Sequence, residues 1–206
     1  MAEDAHRSAP TAHVPGAAHP EDEAMSSSLT LATARSQYWA ANGFGDDGGD
    51  SLEWVPLKLW KWTIKIPNTE GRRRAVRLHD LHHIVTGYRT DLTGEAEIAA
   101  WELASGCFRW PAALVLNAFA LVLGLVIAPR RVLRAWARGR QTKNLYSYDG
   151  VEALLPRTVG AVQRELGLEA PAPPVRARDV LAATLFALPP AAIMLAPLAA
   201  VLALIW

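Results

Sequence analysis

Residues 77–95, RLHDLHHIVTGYRTDLTGE, carry three of the chain's six histidines, His79, His82 and His83, beside Asp80 and a short stretch ahead of Glu95. On a helix, His79 and His83 are four residues apart and fall on one face, one above the other. Two imidazoles so spaced reach a single ion. This is the logic of the His-Glu-x-x-His zinc helix, here with Asp80 in place of glutamate. Asp80 sits about 100° round the helix from His79, where it can ligate or orient a ligand. Glu95 follows His83 after eleven intervening residues and offers a carboxylate. Two imidazoles and a carboxylate leave a coordination position open for water or substrate, as in a catalytic rather than a closed structural site. Zinc suits this ligand set best, with iron, cobalt and manganese as the alternatives. The plainer reading is a polar helix face with satisfied hydrogen bonds. His82 shares a broader face with His79 and reads as a neighbour or partner side chain.

Those groups meet only if two elements bring them together. Asn68 or Thr69 reads as a helix cap, with residues 72–86 as the body and Gly87 as the stop. A short loop follows, and Asp91 or Thr93 caps a second helix to about Ser105, ended by Gly106. A connection this short predicts an antiparallel helical hairpin. His83, one turn before Gly87, then lies level with Glu95 in the first turn of the returning helix. Glu102, seven residues on and on the same face as Glu95, meets the other end of the site.

The rest of the chain supplies context. It has 206 residues and a net charge of +1, so total charge does not point to nucleic acid. Residues 1–27 are acidic and proline-rich, with His6, His13 and His19 among them, and read as a disordered tail without a signal peptide. Residues 26–44 suggest a short helix and 45–51 a loop. WKWTIKIP, residues 60–67, alternates with a two-residue period and predicts a half-buried strand. Its partner is not evident, and KNLYSY, residues 143–148, is a weak candidate. Trp54, Trp60 and Trp62 read as core or interface residues. Cys107, the single cysteine, allows no intrachain disulfide and reads as a small buried hydrophobe.

Two apolar stretches stand out. Residues 112–128 are uncharged and at the lower length limit for a membrane span, so a buried or interfacial helix fits them equally. Residues 180–206 are uncharged and long enough to span, but Pro189, Pro190 and Pro197 interrupt them, which allows a kinked span or a re-entrant hairpin. If both stretches spanned, the basic segment between them would be cytoplasmic and the histidines would face the other side, dividing one small domain. One anchor, the C-terminal stretch, is therefore favoured. The run Arg130, Arg131, Arg134, Arg138, Arg140 and Lys143 abuts an apolar helix and leans to membrane contact. Arg72, Arg73, Arg74 and Arg77 form either a solvated helix face or a site for lipid phosphate or an anionic substrate.

With these residues laid out, the chain resembles the Coq4 family of ubiquinone-biosynthesis proteins. That family carries H-D-x-x-H-x11-E, and His79-Asp80-Leu81-His82-His83 with Glu95 meets this spacing in full. Residues 106–129, AWARGRQTKNL (135–145) and QRELGLEAPAPP (163–174) resemble further family segments, so the likeness covers about residues 57–175. The resemblance implies a mainly α, helical Coq4-like bundle, here over residues 28–178, while the short strand near 60–66 and the C-terminal membrane segment at 179–206, a departure from the family, come from the residue pattern itself. It implies a divalent ion, usually zinc, held by His79, Asp80, His83 and Glu95. It also implies oxidative decarboxylation at ring C1 of a polyprenylated benzoate, with membrane lipid, a prenylated quinone precursor and other quinone-biosynthesis proteins as partners. A scaffold for those enzymes and a metal-dependent lipid hydrolase with Asp80 as base are the alternatives. The expected location is the cytoplasmic face of a membrane. Replacing carboxyl by hydroxyl needs an oxidant, and no flavin or nicotinamide fingerprint appears, so dioxygen at a redox-active ion or an outside partner has to supply it.

Overall fold

The computed structural model describes residues 26–59, 62–148 and 150–205. Their order is α1 (Leu31–Asn42), β1 (Trp54–Leu59), β2 (Trp62–Pro67), α2 (Glu70–Thr86), α3 (Leu92–Ser105), α4 (Pro111–Ile127), α5 (Pro129–Gly139), a 3-10 turn (Leu145–Ser147), α6 (Val159–Leu166) and α7 (Ala177–Ile205). The protein is mainly helical, with one small sheet among the described residues. The expectation of a tail over residues 1–27 lies outside the described residues, apart from Ser26 and Ser27, which stand in a helical turn.

Local chemistry sets the hairpin that carries the histidines. Thr69 caps α2 by accepting from the backbone N–H of Arg72, and Gly87 ends it in the left-handed region at φ 74°. Asp91 caps α3 by accepting from Gly94 N at 2.8 Å, and Gly106 ends it. Caps of this kind each stabilise a helix by about 1 kcal/mol. Gly94 has a further reason to be glycine. A Cβ there would lie 2.1 Å from the carbonyl oxygen of Arg89, so the connecting turn folds directly over the start of α3.

α3 is the central element and is buried on nearly every side, from Gly94 and Ala96 through Leu103. Small residues let its neighbours approach. A Cβ on Gly124 of α4 would fall 2.5 Å from Ala96 Cβ, and one on Gly139 of α5 would fall 2.5 Å from Trp101 O. Trp101 is fully buried and donates its indole N–H to Thr142 at 2.9 Å. Truncating such a side chain costs about 3–5 kcal/mol.

β2 pairs antiparallel with β1, from Trp54 opposite Pro67 to Leu59 opposite Trp62. The partner of the 60–67 strand is therefore the segment just before it. The candidate at 143–148 instead holds the 3-10 turn, because Asn144 accepts from Tyr146 N and bends the chain there. Trp54 is 50 % exposed, which takes it out of the core. Trp60 lies outside the described residues.

α4 buries one stripe, Ala113, Asn117, Leu121 and Gly124, against the domain. Its other side exposes Val115, Leu116, Leu123, Val126 and Ile127. α7 runs as one helix through Pro189 and Pro190, so a re-entrant hairpin does not form. Its 29 residues are about 43 Å long, more than the roughly 30 Å hydrocarbon core of a bilayer. Asp179, Ala183, Ala187 and Pro190 form its buried stripe, and it packs on α4 and α5. Leu181, Leu185, Leu188, Ile193 and Leu195 remain exposed beside the exposed side of α4. This helix is long and apolar enough to cross a membrane.

Candidate metal centre

The hairpin brings His79, His83 and Glu95 together, with ligand atoms all within 4.8 Å of one another. The two Nε2 atoms are 3.2 Å apart. His79 Nε2 lies 3.4 Å from Glu95 Oε2, and His83 Nε2 lies 3.4 Å from Glu95 Oε1.

The protonation of each ring follows from its other nitrogen. His83 Nδ1 lies 2.9 Å from the carbonyl oxygen of Tyr88, which only accepts, so Nδ1 carries a proton and donates. Gly87 makes this possible by turning the chain so that Tyr88 O faces back onto α2. His79 Nδ1 likewise donates to Glu102 Oε1 at 2.8 Å. Both Nε2 atoms are then free to direct lone pairs toward each other and toward Glu95. Electron-rich atoms this close require a positive charge among them, either a proton or a cation. Ligands about 2.0–2.1 Å from a tetrahedral zinc are separated by roughly 3.3 Å. The observed 3.2 and 3.4 Å separations match that edge. A second partner on the far nitrogen of each ligating imidazole is the usual way in which such a site is oriented.

Glu102 is the hub behind the site and is fully buried. Its Oε1 accepts from His79 Nδ1 and from His82 Nδ1 at 2.6 Å, and its Oε2 accepts from Asn117 Nδ2 at 2.5 Å and Tyr146 Oη at 2.9 Å. Burial alone would raise its pKa, but the charge on His79 and the hydrogen bonds from His79 and His82 hold it well below the ordinary carboxylate range. His82 cannot ligate. Its Nε2 accepts from the Leu145 backbone N–H at 2.8 Å while its Nδ1 donates to Glu102, so both nitrogens are engaged. Burial lowers its pKa and keeps it neutral, against the pull of Glu102.

Burial also opposes charge on His79, but Glu102 and Glu95 outweigh it and raise its proton affinity well above normal. The same negative field attracts a metal cation. Burial would lift the Glu95 carboxyl, yet the two imidazoles facing it hold its pKa at about 2. The Glu95 side chain is 41 % exposed, against 23 % for His79 and 1 % for His83. The site therefore opens to an external ligand on the Glu95 side.

Asp80 stands outside the converging group. Its Oδ2 accepts the indole N–H of Trp39 at 2.8 Å, which ties α2 to α1. Burial pushes its carboxyl up, partly countered by that bond. Tyr38, one residue earlier on α1, stacks on His83 with ring centroids 5.7 Å apart. The carbonyls ending α2 are also held, by Arg138 on Thr86 O and Gln163 on Val85 O.

Sequence reasoning placed Glu102 at the other end of the site but not as a four-donor hub, and it missed Asn117, Tyr146, Tyr38 and the Tyr88 carbonyl. Asn117 left a signal, as the one polar side chain in the apolar run 112–128. Compared with protein-family models, with curated proteins and with solved structures, the chain finds no match.

Proposed function

We propose that this chain is a membrane-associated, divalent-metal protein that works on a prenylated aromatic acid in quinone biosynthesis, as its resemblance to the Coq4 family suggests. The observation that carries the reading is the pair of Nε2 lone pairs, 3.2 Å apart and facing Glu95, with both Nδ1 positions held as donors. His79, His83 and Glu95 would hold the ion, with Asp80 kept on Trp39 outside the coordination group. An ion bound there supplies Lewis acidity to a carboxylate or phenolate oxygen of the substrate. The chain's own residues do the positioning. Glu102 and the Tyr88 carbonyl fix the two imidazole tautomers, and Tyr38 flanks His83 with an aromatic face. The open Glu95 side admits the ring.

A prenylated substrate is dissolved in the bilayer, so its enzyme works best docked there. The exposed apolar sides of α4 and α7 suit the lipid interior, and Arg130 and Arg134, exposed just beyond the end of α4, suit anionic headgroups, whereas Arg131 and Arg140 are paired with Glu97 and Asp179. The reading places the basic collar, and with it the site, on the cytoplasmic face. Oxidative decarboxylation there consumes a two-electron oxidant, which zinc cannot activate, so it would come from dioxygen at a redox-active ion such as iron or manganese, or from an outside partner.

The test is metal content and turnover together. Full-length wild type purified in detergent is expected to carry about one zinc-class ion per chain, and His83→Ala and Glu95→Ala to lose it while keeping far-UV circular dichroism. The same variants should fail to release carbon dioxide from a prenylated hydroxybenzoate. Ion-free wild type that still complements a deletion strain would instead support the scaffold reading.

A further inference from the structure

A second feature lies down the same face of α2, seven residues before His79. That separation corresponds to about 10 Å along the helix. Here the N-terminal ends of α2 and α4 and the turn at Tyr146–Tyr148 enclose a cleft of about 570 Å³, with Arg72, Arg74 and Arg109 in its lining. None of the three guanidiniums has a close ion pair among the described residues, although Arg72 feels the charge of Asp80. Arg72 binds Asn68 Oδ1 through Nη1, but its Nε is buried without a partner. Arg74 meets only Glu70, at 3.7 Å, with both side chains more than 60 % exposed, a pairing worth little. Arg109 is exposed and has no hydrogen bond or ion pair among the described residues.

The backbone adds to this field. α4 begins at Trp110 and Pro111 with no side-chain cap, so its positive end faces the cleft uncompensated. No carboxylate among the described residues lines the cleft. Trp110 and Tyr148 give it aromatic walls. One residue before Arg109, Phe108 is 61 % exposed and meets Phe186 of α7 at a centroid distance of 6.1 Å. The cationic cleft therefore borders the apolar face made by α4 and α7.

We infer that this cleft is a phosphate-binding site, built from Arg72, Arg74, Arg109 and the uncapped start of α4. Three guanidiniums suit the several oxygens of a phosphate or phosphomonoester better than a single carboxylate. The phosphate has two sources at this position, the headgroup of an anionic lipid or a soluble phosphate ester. The site is separate from the metal centre, and its failure would leave the metal reading untouched.

The test uses the full chain in detergent, titrated with inorganic phosphate by calorimetry. Wild type should bind saturably. Arg109→Gln and Arg72→Gln should each weaken binding about tenfold, the scale of one lost charge-assisted contact. Arg164→Gln, exposed on α6 outside the cleft, should not. Metal content should be unchanged in all of them, and near-UV circular dichroism confirms the fold. Vesicles of phosphatidylcholine with and without phosphatidic acid then distinguish the source. Retention on phosphatidic acid that Arg109→Gln abolishes assigns the lipid headgroup. Retention indifferent to Arg109, alongside Arg109-dependent phosphate binding, assigns a soluble ester. No saturable phosphate binding, or equal losses in Arg109→Gln and Arg164→Gln, overturns the proposal.

Discussion

Replacing Glu102 by two different residues separates its structural role from its electronic one. The carboxylate accepts four donors in a fully buried position. Glutamine can keep most of that pattern. Its oxygen must face the histidines, because His82 cannot change tautomer while its Nε2 accepts from Leu145 N. Its amide N–H2 then faces Asn117 and Tyr146, which can turn from donor to acceptor by an amide flip and a hydroxyl rotation. Four contacts survive and the charge is lost. Losing the charge weakens each bond but also removes a buried ion, so the net destabilisation should be about 1–2 kcal/mol. Alanine leaves four buried donors unpaired, each costing about 1–3 kcal/mol, so at least roughly 4 kcal/mol is expected. In a chain of this size that is a fall in Tm of about 8–16 °C.

Metal affinity should respond in the opposite proportion. Neutral glutamine leaves His79 less basic, and loss of such an orienting carboxylate lowers metal affinity about 10–100-fold. The assay pairs urea unfolding of the chelated protein, followed by tryptophan fluorescence, with competition against a metal chelator. Glu102→Gln should be nearly as stable as wild type but bind metal poorly. The reasoning fails if Glu102→Gln unfolds as readily as Glu102→Ala, or if it keeps wild-type metal affinity.

Other consequences follow from the same geometry. Gly94→Ala puts a Cβ against the Arg89 carbonyl, a backbone atom that cannot swing away, so the turn must move. A stability loss of about 1–3 kcal/mol is expected, together with weaker metal binding because Glu95 is displaced, both measurable on one preparation. In the chelated protein, Glu95 and Glu102 have folded pKa values below their unfolded ones. Their contribution is present above about pH 4.3 and lost as the pH falls below it. His79 is raised, so its contribution is present below about pH 6.5 and lost as the pH rises through its higher folded value. His82 is lowered, so stability also falls as the pH drops below about 6.5. The urea midpoint should therefore peak at about pH 6.5, declining on the acid side through His82 and the carboxylates and on the alkaline side through His79, and a flat profile would show that the cluster carries no linked charge. The Cys107 thiol is fully buried and pushed up to about 12, by burial first and then by the charge of Glu102. It should ignore a disulfide reagent at neutral pH until the protein unfolds, and rapid labelling of the native chain would contradict the packing around Asn117.

What could be read from the sequence was local. Thr69, Gly87, Asp91 and Gly106 mark the helix ends because each acts through the backbone within a few residues. The meeting of His79, His83 and Glu95 needs only the helical repeat and a short turn, so spacing alone foresaw it. Pairings across long stretches of chain were not legible. Trp39 claims Asp80 from 41 residues away, and Tyr146 reaches Glu102 across 44. No periodicity encodes such contacts. This also explains why the stretch carries three histidines when only two face Glu95. His82 has both nitrogens engaged, one on the backbone at Leu145 and one on Glu102. It therefore anchors the carboxylate that sets the tautomer of His79, one turn back on the same helix. Without His82, Glu102 would keep its charge but lose the rigid donor that fixes where Oε1 points. The spacing that resembles a ligand set thus encodes two rings that converge on Glu95 and a third that holds their support in place.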